Sequence, residues 1–181
     1  MHVGAKKIAI AGLLVAFSVV MLVLSSVIET STLFFVAAAS FCVGIAIREW
    51  GLKIGFGVFV ADLLLGLLVA PNKLYCITFA GMGLYVWLSE VLWEKLAQSA
   101  RVKRRYLMLW LGKYVIFNAM YIPTLFFMPR LLFAGKINGL AAVLLLLVGQ
   151  VVLFIYDRAY AYFQSYIWGK LRTKFLGREY E

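Results

Sequence analysis

Long apolar runs limit what this chain can fold into more than any other feature. A bilayer core of about 30 Å takes about 20 apolar residues of helix to cross. Stretches at about 8–28, 32–47, 52–70, 74–93, 107–128 and 138–158 meet or approach that length. The second, TLFFVAAASFCVGIAI, is short, and spans only with local thinning or by being buried among neighbours. Composition agrees: of 181 residues, 65% are hydrophobic and 14% charged, outside the range of a soluble domain of this length. The first run begins after Lys6 and Lys7, exceeds the usual signal-peptide core and lacks a clean A-x-A site, so it reads as a retained helix. The expected fold is all-α: a polytopic six-helix transmembrane bundle over 1–158, followed by an amphipathic helical extension over 159–181.

Charge sets the expected orientation. With the N-terminus inside, thirteen Lys and Arg residues flank the cytoplasmic ends, and only Lys73, Arg130 and Lys136 lie on the other side. Six spans then return the C-terminus to the cytoplasm, an N-in/C-in topology for a multi-pass protein of the cytoplasmic membrane. The net charge of +10 is mostly this topology signal, so the RVKRR run at 101–105 needs no nucleic acid to explain it. Anionic lipid headgroups at the cytoplasmic face are its natural counter-charge. Past Asp157 and Arg158, Tyr160, Phe163, Ile167, Leu171 and Phe175 recur every three or four residues, which places them on one helical face. Tyr156, Tyr162, Tyr166 and Trp168 are residue types of the headgroup level, so this extension reads as a basic interfacial tail.

Ala5, Ala9, Gly12 and Ala16 fall within about 60° of one another on a helix. Such a small-residue stripe lets another helix approach closely, whether from the same chain or from a partner. Gly55, Gly57, Ala61 and Gly66, and then Ala80, Gly81 and Gly83, offer further close-packing surfaces.

Few polar residues interrupt the spans: Asp62, Glu90, Lys113, Asn118 and Gln150. Asp62 comes near mid-membrane, where an ionised side chain costs at least about 2.5–3.5 kcal/mol, so it must face the bundle interior, be paired or be protonated. Lys113 is the expected charged partner. A structural Asp62–Lys113 pair, hydrogen-bonded glue, and a solute or proton site all stay open for this residue.

Chemistry is otherwise sparse. Cys42 and Cys76 lack metal or redox spacing and read as packing residues, and the single histidine is His2. Glu90 and Glu94 beside Lys95 read as a solvated or ion-paired helix end. There is no HExxH, GxSxG or Gly-rich phosphate loop, so neither catalysis, metal nor cofactor is expected.

The order of features, KKIAIAGLLVAF, a short second helix, the turn REWGLKIG, the helix GVFVADLLLGLLVAP and three more spans, resembles the substrate-binding S component of energy-coupling-factor (ECF) transporters, best over residues 5–72. The resemblance implies that Gly12 and Ala16, extended by Ala5 and Ala9, face the transmembrane scaffold of an energising module with its ATPase subunits. It also implies a vitamin or other micronutrient held on the outer side, with Asp62, Asn72, Tyr75, Asn118, Tyr121 and Asn138 as candidate contacts. The connection from Glu29 to Thr32 is too short to form a lid over such a ligand. The other reading is a non-catalytic membrane scaffold, as in the rod-shape-determining MreD family, which would act through protein and lipid contacts.

Overall fold

The computed structural model describes residues 2–98, 104–127 and 139–176, and among them no strand forms. Apolar surroundings leave backbone N–H and C=O groups no water to bond, so runs of this composition satisfy them internally as helix. Helix α1 covers His2–Val27, a 3-10 turn Glu29–Ser31, α2 Thr32–Trp50, α3 Leu52–Val69, α4 Lys73–Gln98, α5 Arg105–Phe127 and α6 Gly139–Tyr162. A π-helical turn, Phe163–Trp168, carries α6 directly into α7, Gly169–Leu176.

Among the described residues, five helical stretches are long and apolar enough to cross a membrane: Lys7–Val27, Thr32–Trp50, Leu52–Val69, Lys73–Gln98 and Val143–Arg172. This is the composition and length of a multi-pass membrane protein. Helix α5 is not among the five: it is 23 residues long, but Lys113, Asn118 and Pro123 dilute its apolar character.

Contacts divide the chain into two units, Met1–Gly135 and Lys136–Glu181. In the first, α2 is the central helix, with α1, α3 and α4 all packed on it; α3 also lies against α1 and α4, and α5 packs on α4. The short second run is therefore accommodated by burial: Val36 and every residue from Ala39 to Ile47 are buried. Its 19 residues rise about 28 Å at about 1.5 Å each, close to the thickness of a bilayer core.

Glycines make this packing possible. A Cβ on Gly55 would stand 2.1 Å from Ile47 Cγ1, so α3 can approach α2 this closely only without a side chain there. Gly66 meets Leu22 of α1 in the same way, and Gly83 meets the Phe59 ring. Gly57 and Gly81 have nothing within 4 Å, so only part of each small-residue run packs internally. The turn between α2 and α3 depends on Gly51, whose φ of 87° suits a residue without a Cβ; its N–H donates to Ile47 O at 2.7 Å and closes α2.

In the second unit the buried side chains include Tyr156, Tyr160, Gln164 and Trp168, which recur every fourth residue, together with Leu153 and Asp157. Of the expected face, Tyr160 is buried, whereas Ile167 and Leu171 are exposed and the side chain of Phe175 lies outside the described residues. A π turn holds more residues per turn than an α-helix, so it shifts the phase of the stripe.

Candidate functional site

Residues Gly55, Val58, Phe59, Asp62 and Gly66 form the buried face of α3, at spacings of three and four. Asp62 is thus turned inward by the same periodicity that buries Val58 before it and Gly66 after it. Its side chain is fully buried. Ser18 of α1 and Cys42 of α2 lie beside it. The Ser18 hydroxyl is directed at Ala39 O, 3.3 Å away, and neither carboxyl oxygen of Asp62 has a hydrogen-bond partner.

Lys113 does not fill that gap. Helix α5 packs on α4, whereas Asp62 sits among side chains of α1 and α2. The Lys113 ammonium lies 5.8 Å from the Trp110 ring centroid, and the expected Asp62–Lys113 pair is not formed.

A different ion pair joins the helices. Arg48, in the last turn of α2, donates from Nη2 at 2.9 Å and from Nε at 3.1 Å to Glu90 Oε1 of α4. Close by in sequence, Trp87 Nε1 donates to Leu52 O at 3.2 Å, and its ring lies 5.2 Å from that of Phe56. Arg48 serves the topology count in the sequence and Glu90 reads there as a helix end. The signal that pairs them is their common depth, counted from the ends of the second and fourth runs.

Several candidate ligand contacts are engaged by the backbone or by neighbouring rings. Asn72 Oδ1 accepts from the Leu74 N–H at 3.1 Å and so caps α4, while the Lys73 ammonium bonds the carbonyls of Leu67 and Ala70 at the end of α3. Tyr75 is partly buried one turn into α4. Asn118 Nδ2 donates to Tyr114 O at 2.9 Å within α5, and Tyr121 stacks on Phe117 with ring centroids 4.9 Å apart. Asn118 and Tyr121, three residues apart, share a face of α5. Asn138 lies outside the described residues, as does the side chain of Ala5.

The remaining stripe on α1 faces away from the packed core. Ala9, Gly12 and Ala16 are exposed, and nothing lies within 4 Å of a Cβ built on Gly12. Ser18, Leu22 and Ser25, on nearly the opposite side, are buried. Cys42 and Cys76 are buried free thiols, and no cluster of three or more metal-ligating side chains occurs among the described residues. Comparison of the chain with protein-family models, with characterised proteins and with solved structures finds no match.

Proposed function

We propose that this protein is a non-catalytic, multi-pass subunit of a cell-membrane complex that docks to its partner through α1, on the plan of an ECF-transporter S component. Six spans, counting α5, would place both termini and the basic ends in the cytoplasm, facing anionic lipid. One observation carries the docking part: Ala9, Gly12 and Ala16 are exposed on the opposite side of α1 from the buried Ser18, Leu22 and Ser25. A smooth face of this kind gains dispersion contact from a second helix. In an S component that helix belongs to the transmembrane scaffold of an ATPase module, and the bound solute is a micronutrient.

The scaffold reading has its own support. Asn72 and Asn118 spend hydrogen bonds on main-chain groups of their own segments, which favours structural roles for both. A protein acting only through protein and lipid contacts needs nothing more from them.

Purification of the tagged chain in mild detergent, with proteins and small molecules identified by mass spectrometry, separates the two. Co-purification of a membrane scaffold with paired ATPases, or of a retained vitamin, supports the transporter reading. Envelope proteins without a ligand support the scaffold. Under either, Gly12→Leu combined with Ala16→Leu should release the partner while the monomer keeps its thermal stability. A double variant that no longer folds would place the stripe in internal packing and overturn the docking proposal.

A further inference from the structure

We infer that Asp62 is a proton-binding site at the junction of α1, α2 and α3, and that its carboxyl, carried as the neutral acid, keeps α1 seated on the other two helices. The three helices that pack on α3 are α1, α2 and α4. From α1 the group beside Asp62 is Ser18, and from α2 it is Cys42. From α4, Cys76 comes within 3.5 Å of a Cβ built on Gly66, one turn beyond Asp62. Among the described residues no ammonium or guanidinium reaches the carboxyl, and Arg48 is bonded to Glu90 instead.

The donor set selects the ligand. A hard divalent cation takes six or more oxygens. Here the side chains beside Asp62 add one hydroxyl, and the carbonyls of the surrounding helices are engaged in their own ladders. A solute with a cationic group needs an open approach, and Asp62 has no exposed surface. A proton needs one oxygen and no space. When it binds, one carboxyl oxygen becomes an O–H donor. Ser18 Oγ, whose own O–H is spent on Ala39 O, keeps lone pairs to accept it.

Loss of the proton leaves a full charge in an apolar junction whose neighbouring hydroxyl, Ser18, is directed at Ala39 O. Water reaches that charge if α1 separates from α2 and α3, and α1 is more exposed along its length than α2. The outer face of α1 holds Ala9, Gly12 and Ala16, so the proton would also govern how that face is presented. This last consequence rests on the docking reading above; the proton site does not.

The chain has two aspartates, Asp62 and Asp157, which makes the test direct. Full-length protein labelled with carbon-13 aspartate, in lipid nanodiscs, is titrated from mildly acidic to alkaline pH while the carboxyl signals are read by infrared or solid-state NMR. The expected result at neutral pH is a protonated carboxyl signal that Asp157→Asn keeps and Asp62→Asn removes. If Asp62→Asn does not fold, Asp157→Asn alone leaves Asp62 as the single labelled site. An ionised Asp62 at neutral pH overturns the proposal, whatever cation accompanies it. The conformational part is read without any partner, from the distance between labels at the exposed Leu13 of α1 and Leu64 of α3. It should widen as the carboxyl ionises in the parent and stay constant in Asp62→Asn. A distance unchanged in the parent through that titration overturns the coupling to α1.

Discussion

Glu90 on α4 and Asp62 on α3 are buried carboxylates in one bundle, yet Arg48 brings two N–H donors to Glu90 while Asp62 receives none. The difference follows from position along the helices. Arg48 stands in the last turn of α2 with its side chain 41% exposed, so the guanidinium satisfies Glu90 from the rim and keeps water on its other side. Asp62 lies midway along α3 with no helix end near it. To bring a cation there would mean burying a second charge beside a carboxyl that has no exposed surface. A membrane bundle can thus hold an ion pair at its edge, whereas the carboxyl at its centre is left without a counter-charge among the described residues.

Removing Arg48 should break the comparison most sharply. Arg48→Leu strips both donors from Glu90 and leaves a nearly buried carboxylate, so stability should fall by about 2–3 kcal/mol, less than a fully buried pair because of Arg48's exposure. Unfolding in a detergent series would measure it, and Glu90→Gln made in the same background should recover part of the loss. No loss on Arg48→Leu would place the pair among surface ion pairs of little worth.

A smaller effect is expected beside Asp62. In Gly66→Ala the new Cβ would lie 2.8 Å from Leu22 Cδ1, which must shift, at a cost of about 1–2 kcal/mol. Unchanged thermal stability in nanodiscs would mean that the α1–α3 contact around the carboxyl is loose, and the junction would lose its claim to exclude water.

Asp62→Asn should have the smallest effect, within about 0.5 kcal/mol at neutral pH, because it exchanges one neutral polar group for another of the same shape. The same thermal measurement is informative in the other direction. A gain of several kcal/mol would mean that the substitution had relieved a buried, unpaired charge, and the two carboxylates would then differ in pairing but not in ionisation.

Parts of this arrangement were legible in the residues. The inward orientation of Asp62 was one of the outcomes that membrane cost allowed, since a charged carboxyl on a lipid-facing surface is disfavoured. The length of the second run left local thinning or burial open, and the structure shows burial. The partner assigned to Asp62 was not legible: Lys113 comes within about a turn of it in depth, but depth along an axis says nothing of which helices are adjacent, and α5 packs on α4. The role of Asn72 was hidden for a similar reason. An asparagine near a helix start serves as a cap or as a ligand contact, and only the Leu74 N–H within 3.1 Å shows the cap. Small-residue runs were equally ambiguous: Gly55, Gly66 and Gly83 pack inside, while Gly12, Gly57 and Gly81 do not.

By itself the sequence determined the helical class and the long apolar helices, because these depend on local composition and on a solvent that leaves no backbone group unsatisfied. Tertiary structure decided which helix is central, which face of α1 is buried and which carboxylate is paired. Those outcomes depend on contacts between residues far apart in the chain, where a missing Cβ at Gly55 or an arginine at the end of α2 selects one neighbour over another.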